Sequence, residues 1–284
     1  MIDKKNQVEV LQFYSDNGLD EIISEKPVTY FGQTSALATP LIQKNTQETF
    51  FKPPLSTFDS ISVLAKKSQN IQESEEKFLP LNDIIAQAKK LADGVRTLDE
   101  LRMVVENFDG CNLKKMATNT VFCDGNPNAK VMVIGEAPGN HEDLQGIPFC
   151  GDSGKVLNEM FAAINMRRDD DFYITNVIFW RPPGNRRPTD EELMICRPFV
   201  ERHIQLFAPK VIVIVGATAM SAVLGINDPV SKIRGKFMDF SPSFLSKKTK
   251  TFTIFHPSYL MRQPTKKKVA WLDMLALEEF LLSK

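Results

Sequence analysis

The sequence predicts an α/β fold: a parallel sheet with helices on both faces, behind a partly helical, partly irregular N-terminal extension. Three observations carry the expectation. Four short apolar runs lack polar alternation, as strands buried on both faces do. Segments with helical apolar spacing lie between them, which requires crossover connections and hence parallel strands. The blocks richest in Gly, Pro and reactive side chains follow the strands, so they share one edge of the sheet.

In chain order, residues 1–80 form the extension. Gln7 to Ile23 suits one or two short amphipathic helices broken at Asn17-Gly18, and 27–78 is rich in Thr, Ser, Gln and Pro without apolar period. The early helix is either a docking segment for a protein partner or a surface helix. Residues 81–284 form the folded domain. Leu81–Leu91 is a helix with Ile84, Ile85, Ala88 and Leu91 on one face, and Thr97 with Glu100 is a capping box opening a helix to about Phe108. Val131–Ile134 is the first strand. Ser153–Ile164 is helical through Val156, Leu157, Met160, Phe161 and Ile164. Phe172–Val177 is the second strand, and the Thr189/Glu192 capping box opens a helix to Phe207. Val211–Val215 is the third strand, Ala217–Leu224 a short helix, Thr251–Phe255 the fourth strand and Lys267–Leu282 the final helix.

Composition limits the function. The 284 residues are 43% hydrophobic, enough for a real core, and contain no apolar run long enough to cross a bilayer. The start, Met1-Ile-Asp-Lys-Lys-Asn, has no secretory character, so a cytoplasmic protein is expected. Net charge is zero, but residues 230–284 hold 11 Lys and Arg against 4 Asp and Glu. That imbalance suits a phosphate-binding face, or simply a solvated Lys-rich surface. Cysteines 111, 123, 150 and 196 fit no zinc template.

Four blocks carry chemistry. Gly135-Glu136-Ala137-Pro138-Gly139 puts a carboxylate on a tight turn after the first strand, where it can orient a water and stabilise positive charge; a solvated turn is the plain alternative. Glu142 and Asp143 follow on the same loop, and either glutamate could be the water-activating group. Gly146-Ile-Pro-Phe149-Cys-Gly151 offers an aromatic that can stack on an extruded base or plug the core. Asn176 ends the second strand; its amide can pair with a donor–acceptor edge of a ligand or cap the strand. After it, Arg181-Pro-Pro-Gly-Asn185-Arg186-Arg187 is a stiff cationic loop suited to phosphates. His256 follows the fourth strand and can donate to a base oxygen as charge grows on it. Tyr259, Leu260, Met261 and Arg262 would supply a wedge and phosphate contacts, with Lys266, Lys267 and Lys268 beside them.

Taken together, from about Phe108 to Leu282, these blocks resemble the type-4 uracil-DNA glycosylases. The resemblance implies a three-layer α/β/α domain with a central four-stranded parallel sheet, removing uracil from DNA to leave an abasic site. It implies a uracil pocket of Gly135, Glu136, Ala137, Phe149, Asn176 and His256. Glu136 is then the water-activating residue, assisted by Glu142 and Asn185. Arg181, Arg186, Tyr259, Leu260, Arg262 and Lys266 are the expected DNA contacts. Many members hold a [4Fe–4S] cluster on four cysteines. Cys111 and Cys196 match two of these, but Phe108 and Trp180 occupy the other two positions, so an apolar plug and no cofactor are expected. The expected partner is uracil-containing DNA, bound by a monomer in the cytoplasm, or at the nucleoid in a bacterium. A catalytically weak DNA-binding or replication-partner-binding relative is the alternative. A dinucleotide-binding enzyme ranks last, since no GxGxxG follows a strand.

Overall fold

The computed structural model describes residues 79–283; the expectations for residues 1–78 lie outside that range. Residues 79–284 form one compact unit. Its elements are α1 (Leu81–Gly94), α2 (Leu98–Asn107), α3 (Asn112–Met116), β1 (Asp124–Gly125), β2 (Val131–Gly135), α4 (Asn140–Gln145), α5 (Asp152–Ala162), α6 (Arg168–Asp171), β3 (Phe172–Asn176), α7 (Asp190–Phe207), β4 (Val211–Val215), α8 (Ala217–Leu224), α9 (Val230–Ile233), β5 (Phe237–Phe240), β6 (Thr249–Ile254), α10 (Pro257–Arg262) and α11 (Lys267–Leu282).

The sheet has six strands in the order β1-β3-β2-β4-β6-β5. The four expected parallel strands are its centre, and the antiparallel β1 and β5 are added at its edges. Alternate strand residues face opposite layers. Met132, Ile134, Tyr173, Ile212 and Ile214 pack with Ala88, Leu101, Val105, Phe199 and Ile204 of α1, α2 and α7. Val131, Val133, Ile174, Val213 and Ile254 pack with Leu157 and Phe161 of α5 and Met274 and Leu277 of α11. The result is the three-layer sandwich. Burying each large apolar side chain contributes about 1.5–3 kcal/mol.

Local differences have local causes. The Thr189/Glu192 box forms in full. At α2 it is half-built: Thr97 caps Glu100 N–H, but Glu100 accepts from Arg96 N–H at 2.6 Å instead of reaching Thr97. Leu91, expected on the inner face of α1, is exposed, because Ala88 and Ala92 form the buried stripe against α7. Ile164 lies beyond the end of α5 yet stays buried.

Candidate active site

The carboxyl edge of the sheet presents, in spatial order, Asn176 from β3, Gly135 from β2, Gly216 after β4 and His256 after β6. Glycines end the two middle strands, and neighbouring side chains close over their bare backbone. A Cβ at Gly135 would lie 2.4 Å from the Phe149 ring and 2.5 Å from Asn176 Oδ1, so the ring and the amide meet over that bare backbone. The Phe149 ring centre is 5.9 Å from that of His256. Gly216, at φ 89°, lets His256 pack against it. Four residues scattered over 122 positions, Gly135, Phe149, Asn176 and His256, are thus neighbours.

Asn176 is only 1% exposed, yet neither its Nδ2 nor its Oδ1 has a hydrogen-bond partner. An unsatisfied buried polar group costs about 1–3 kcal/mol. Such a cost in a native core calls for an explanation, and a ligand that pairs with both atoms is one. The amide offers one donor and one acceptor side by side.

His256 caps the start of α10. Its Nδ1 accepts from Ser258 N–H at 3.1 Å and lies 2.8 Å from Ser258 Oγ. Burial, with a smaller contribution from Arg262, pushes its pKa down to about 4. The ring is therefore neutral at pH 7. With Nδ1 accepting, the proton resides on Nε2, a donor free to point at a ligand.

Glu136 is half-buried, and among the described residues nothing hydrogen-bonds or ion-pairs its carboxylate. Its backbone carbonyl accepts from Ile178 N–H at 3.1 Å, extending the β2–β3 pairing past the strand ends. Ala137 packs against the core layer of α1, α2 and α7. Glu142, expected to assist with water, has both carboxylate oxygens engaged: Oε2 accepts from Gly139 N–H at 3.1 Å and Oε1 from Gly151 N–H at 2.9 Å. It latches the Glu136 turn to the Phe149 loop. Asp143 is buried and grips Thr118 and Asn119 N–H at 2.8 and 3.2 Å.

The expected DNA contacts divide. Asn185, exposed, accepts from Arg181 Nε at 2.7 Å, and Arg181 Nη1 donates to Asn140 Oδ1 at 2.8 Å. Asn185 thus braces the cationic loop against α4, its side-chain oxygen taken by Arg181. Arg186 forms a forked pair with Glu192 at 2.6 and 2.9 Å, so its charge is already matched. Arg262 and Lys266 are exposed, and Tyr259 is half-buried against Phe255, ring centres 5.0 Å apart. Leu260, expected at the DNA-facing tip, is 1% exposed in a cluster with Phe255 and Ala270; Met261, 41% exposed, is the apolar side chain that faces outward.

The cluster positions do not fit a four-thiolate iron–sulfur centre. Cys111 and Cys196 are both buried free thiols. Phe108 packs edge-on against Phe199 at 5.0 Å, and the Trp180 indole N–H donates to Thr120 Oγ1 at 2.9 Å. All four residues belong to one apolar cluster. Two ligand corners are filled by rings that cannot bind iron.

Sequence reasoning missed Ser258, which sets the histidine tautomer, and Gly216; both lie beside strand ends, a positional signal that could have flagged them. An apolar cleft elsewhere, lined by Val177, Leu193, Val200, Ile204 and Phe240, contains none of the site residues.

The sequence profile of the Uracil DNA glycosylase superfamily matches residues 122–276. A type-4 uracil-DNA glycosylase of Archaeoglobus fulgidus is 38% identical over 174 residues, 60% of this chain and 86% of the relative. One of Thermotoga maritima is 40% identical over 159 residues, 56% of this chain and 80% of the relative. One of Saccharolobus solfataricus is 34% identical over 191 residues, 66% of this chain and 88% of the relative. The profile spans more than half the sequence and takes in every block that meets at the sheet edge, and by that measure the chain belongs to the uracil-DNA glycosylase superfamily.

Proposed function

We propose that this protein is a DNA-repair glycosylase that draws uracil out of the DNA stack and hydrolyses its N-glycosidic bond, leaving an abasic site. The observation that carries the reading is the buried, doubly unpartnered amide of Asn176 beside Phe149 and a neutral His256. The extruded base stacks on Phe149. Asn176 Nδ2–H donates to uracil O4 and Oδ1 accepts from N3–H. Cytosine presents the opposite pattern and would leave the amide unpaired, the kind of mismatch a polar pocket rejects strongly. As the C1′–N1 bond breaks, its electron pair leaves with the base, and His256 Nε2–H donates to O2, a bond that strengthens as that oxygen becomes anionic. The N-termini of α5 and α8 also open at this edge and favour negative charge. Water adds its oxygen to C1′ and Glu136, the unpaired carboxylate, orients it and takes its proton. Glu142 acts as a latch between the two loops. No step uses an iron–sulfur cluster.

Extrusion costs a few kcal/mol and least for a mispaired base, so G·U is a favoured substrate. Arg262, Lys266, Lys267 and Lys268 are exposed cations for the backbone phosphates, and the enzyme acts on uracil-containing DNA in the cytoplasm. The decisive experiment incubates purified protein with an oligonucleotide holding one uracil, followed by alkali. Strand scission at the uracil is expected, with most activity lost in Asn176→Ala and His256→Ala while DNA binding persists. Intact strands with folded wild-type protein, or full rates in both variants, would overturn the reading.

A further inference from the structure

We propose that Arg168 is a positioning residue for the base pocket: its guanidinium holds Phe149 in a backbone conformation that the chain would otherwise leave, and so fixes the stacking ring relative to Asn176. The inference deepens the glycosylase reading and rests on it.

Phe149 has φ 51°, in the left-handed region, where a bulky side chain is a genuine outlier. Strain of that kind persists only where the surroundings over-determine it. Arg168 supplies the determination. On α6, it donates from Nη1 to the Phe149 carbonyl at 2.8 Å and from Nη2 to the Pro148 carbonyl. Its Nε donates to Asp124 Oδ2 at 2.5 Å, and its side chain is only 12% exposed. Asp124 belongs to β1, which pairs antiparallel with β3, register Asp124 to Ile174. One guanidinium therefore ties the strained peptide to the strand that carries Asn176.

The opposite side is equally closed. A Cβ at Gly154, in the first turn of α5, would lie 1.7 Å from the Phe149 carbonyl oxygen, so that carbonyl rests directly on bare helix backbone. The carbonyl is held from both sides, and the ring lies over Gly135. The arrangement requires a planar fork with three donors in fixed directions. Lysine would supply a single point of charge and cannot hold two carbonyls and a carboxylate together.

The test is a double-mutant cycle read by single-turnover excision from a uracil oligonucleotide. Wild type, Arg168→Gln, Arg168→Lys, Phe149→Ala and the two doubles are compared, each checked by thermal melting. Arg168→Gln should lower kcat/KM by about tenfold or more, the scale of a lost base stack. Arg168→Lys should show a smaller loss. Free uracil should inhibit both variants less, while affinity for undamaged DNA stays unchanged. In the Phe149→Ala background the same substitutions should cost less than about twofold, because the group they act through is gone. Should Arg168→Gln fail to fold, the Lys cycle alone decides. Unchanged kinetics in the single variants, or the full loss repeated without Phe149, would overturn the inference while leaving an active wild type, and with it the glycosylase reading, intact. An inactive wild type would remove both.

Discussion

Replacing Asn176 by leucine, its nearest apolar match in shape, should move stability and activity in opposite directions. In the free protein both amide atoms are buried and unpaired. Each such group costs about 1–3 kcal/mol, and apolar replacement of matching shape removes that cost. Some of the gain is lost where the leucine methyls crowd Gly135 and the Phe149 ring, which already approach the amide closely. A net stabilisation of about 1–3 kcal/mol remains, or about 2–10 °C in melting temperature for a unit of this size. Excision should fall by about a hundredfold to ten-thousandfold, since two hydrogen bonds to the base are lost from the transition state. Differential scanning calorimetry and single-turnover excision report the two quantities. A variant that melts well below wild type yet excises uracil normally would refute the reasoning: the amide would then be a structural cap whose partners go unseen, not a ligand group.

Other predictions follow from the same geometry. Burial holds His256 at about 4 and His203 at about 3. The unfolded chain takes up both protons as pH falls through the ordinary value of 6.5, and the native state refuses them. The stability these rings contribute is therefore complete above pH 6.5 and drains as pH falls through about 4 for His256 and about 3 for His203, by up to about 3 and about 5 kcal/mol respectively. Urea unfolding at pH 7, 5.5 and 4.5 measures this, and His256→Gln should flatten part of the slope. Glu142→Ala frees Gly139 and Gly151 N–H, and should destabilise by about 1–3 kcal/mol and slow excision together; slower excision at unchanged stability would instead make Glu142 a direct participant. The double variant Lys267→Gln, Lys268→Gln should lower the slope of log K against log salt by about 2 on any DNA sequence, with the excision step unaffected. Purified protein should carry no iron–sulfur absorbance, and Trp180→Phe, which loses the bond to Thr120 and leaves a cavity where the larger buried indole packed, should lower stability by about 2–4 kcal/mol.

The central sheet was legible in the sequence because its strands are covered on both faces and therefore written as unbroken apolar runs, Val131–Ile134 and Val211–Val215 most plainly. The edge strands were not: Asp124–Gly125 is too short to carry a pattern, and Phe237–Phe240 pairs on one side only. The helices α3, α4, α6, α9 and α10 run four to six residues, under two turns, too few for a period to show. Residue types and their placement after strands were enough to nominate Glu136, Phe149, Asn176 and His256, since parallel strands must send their C-terminal residues to one edge. Tertiary structure alone decided what each side chain does there. It gave both oxygens of Glu142 to backbone N–H groups, turned Leu260 inward and Met261 outward, and matched Arg186 with Glu192. It also left the buried Asn176 amide without a protein partner. Local sequence encodes which groups are available and on which element; whether a polar atom is satisfied depends on neighbours brought from distant segments, and that is settled only when the layers close.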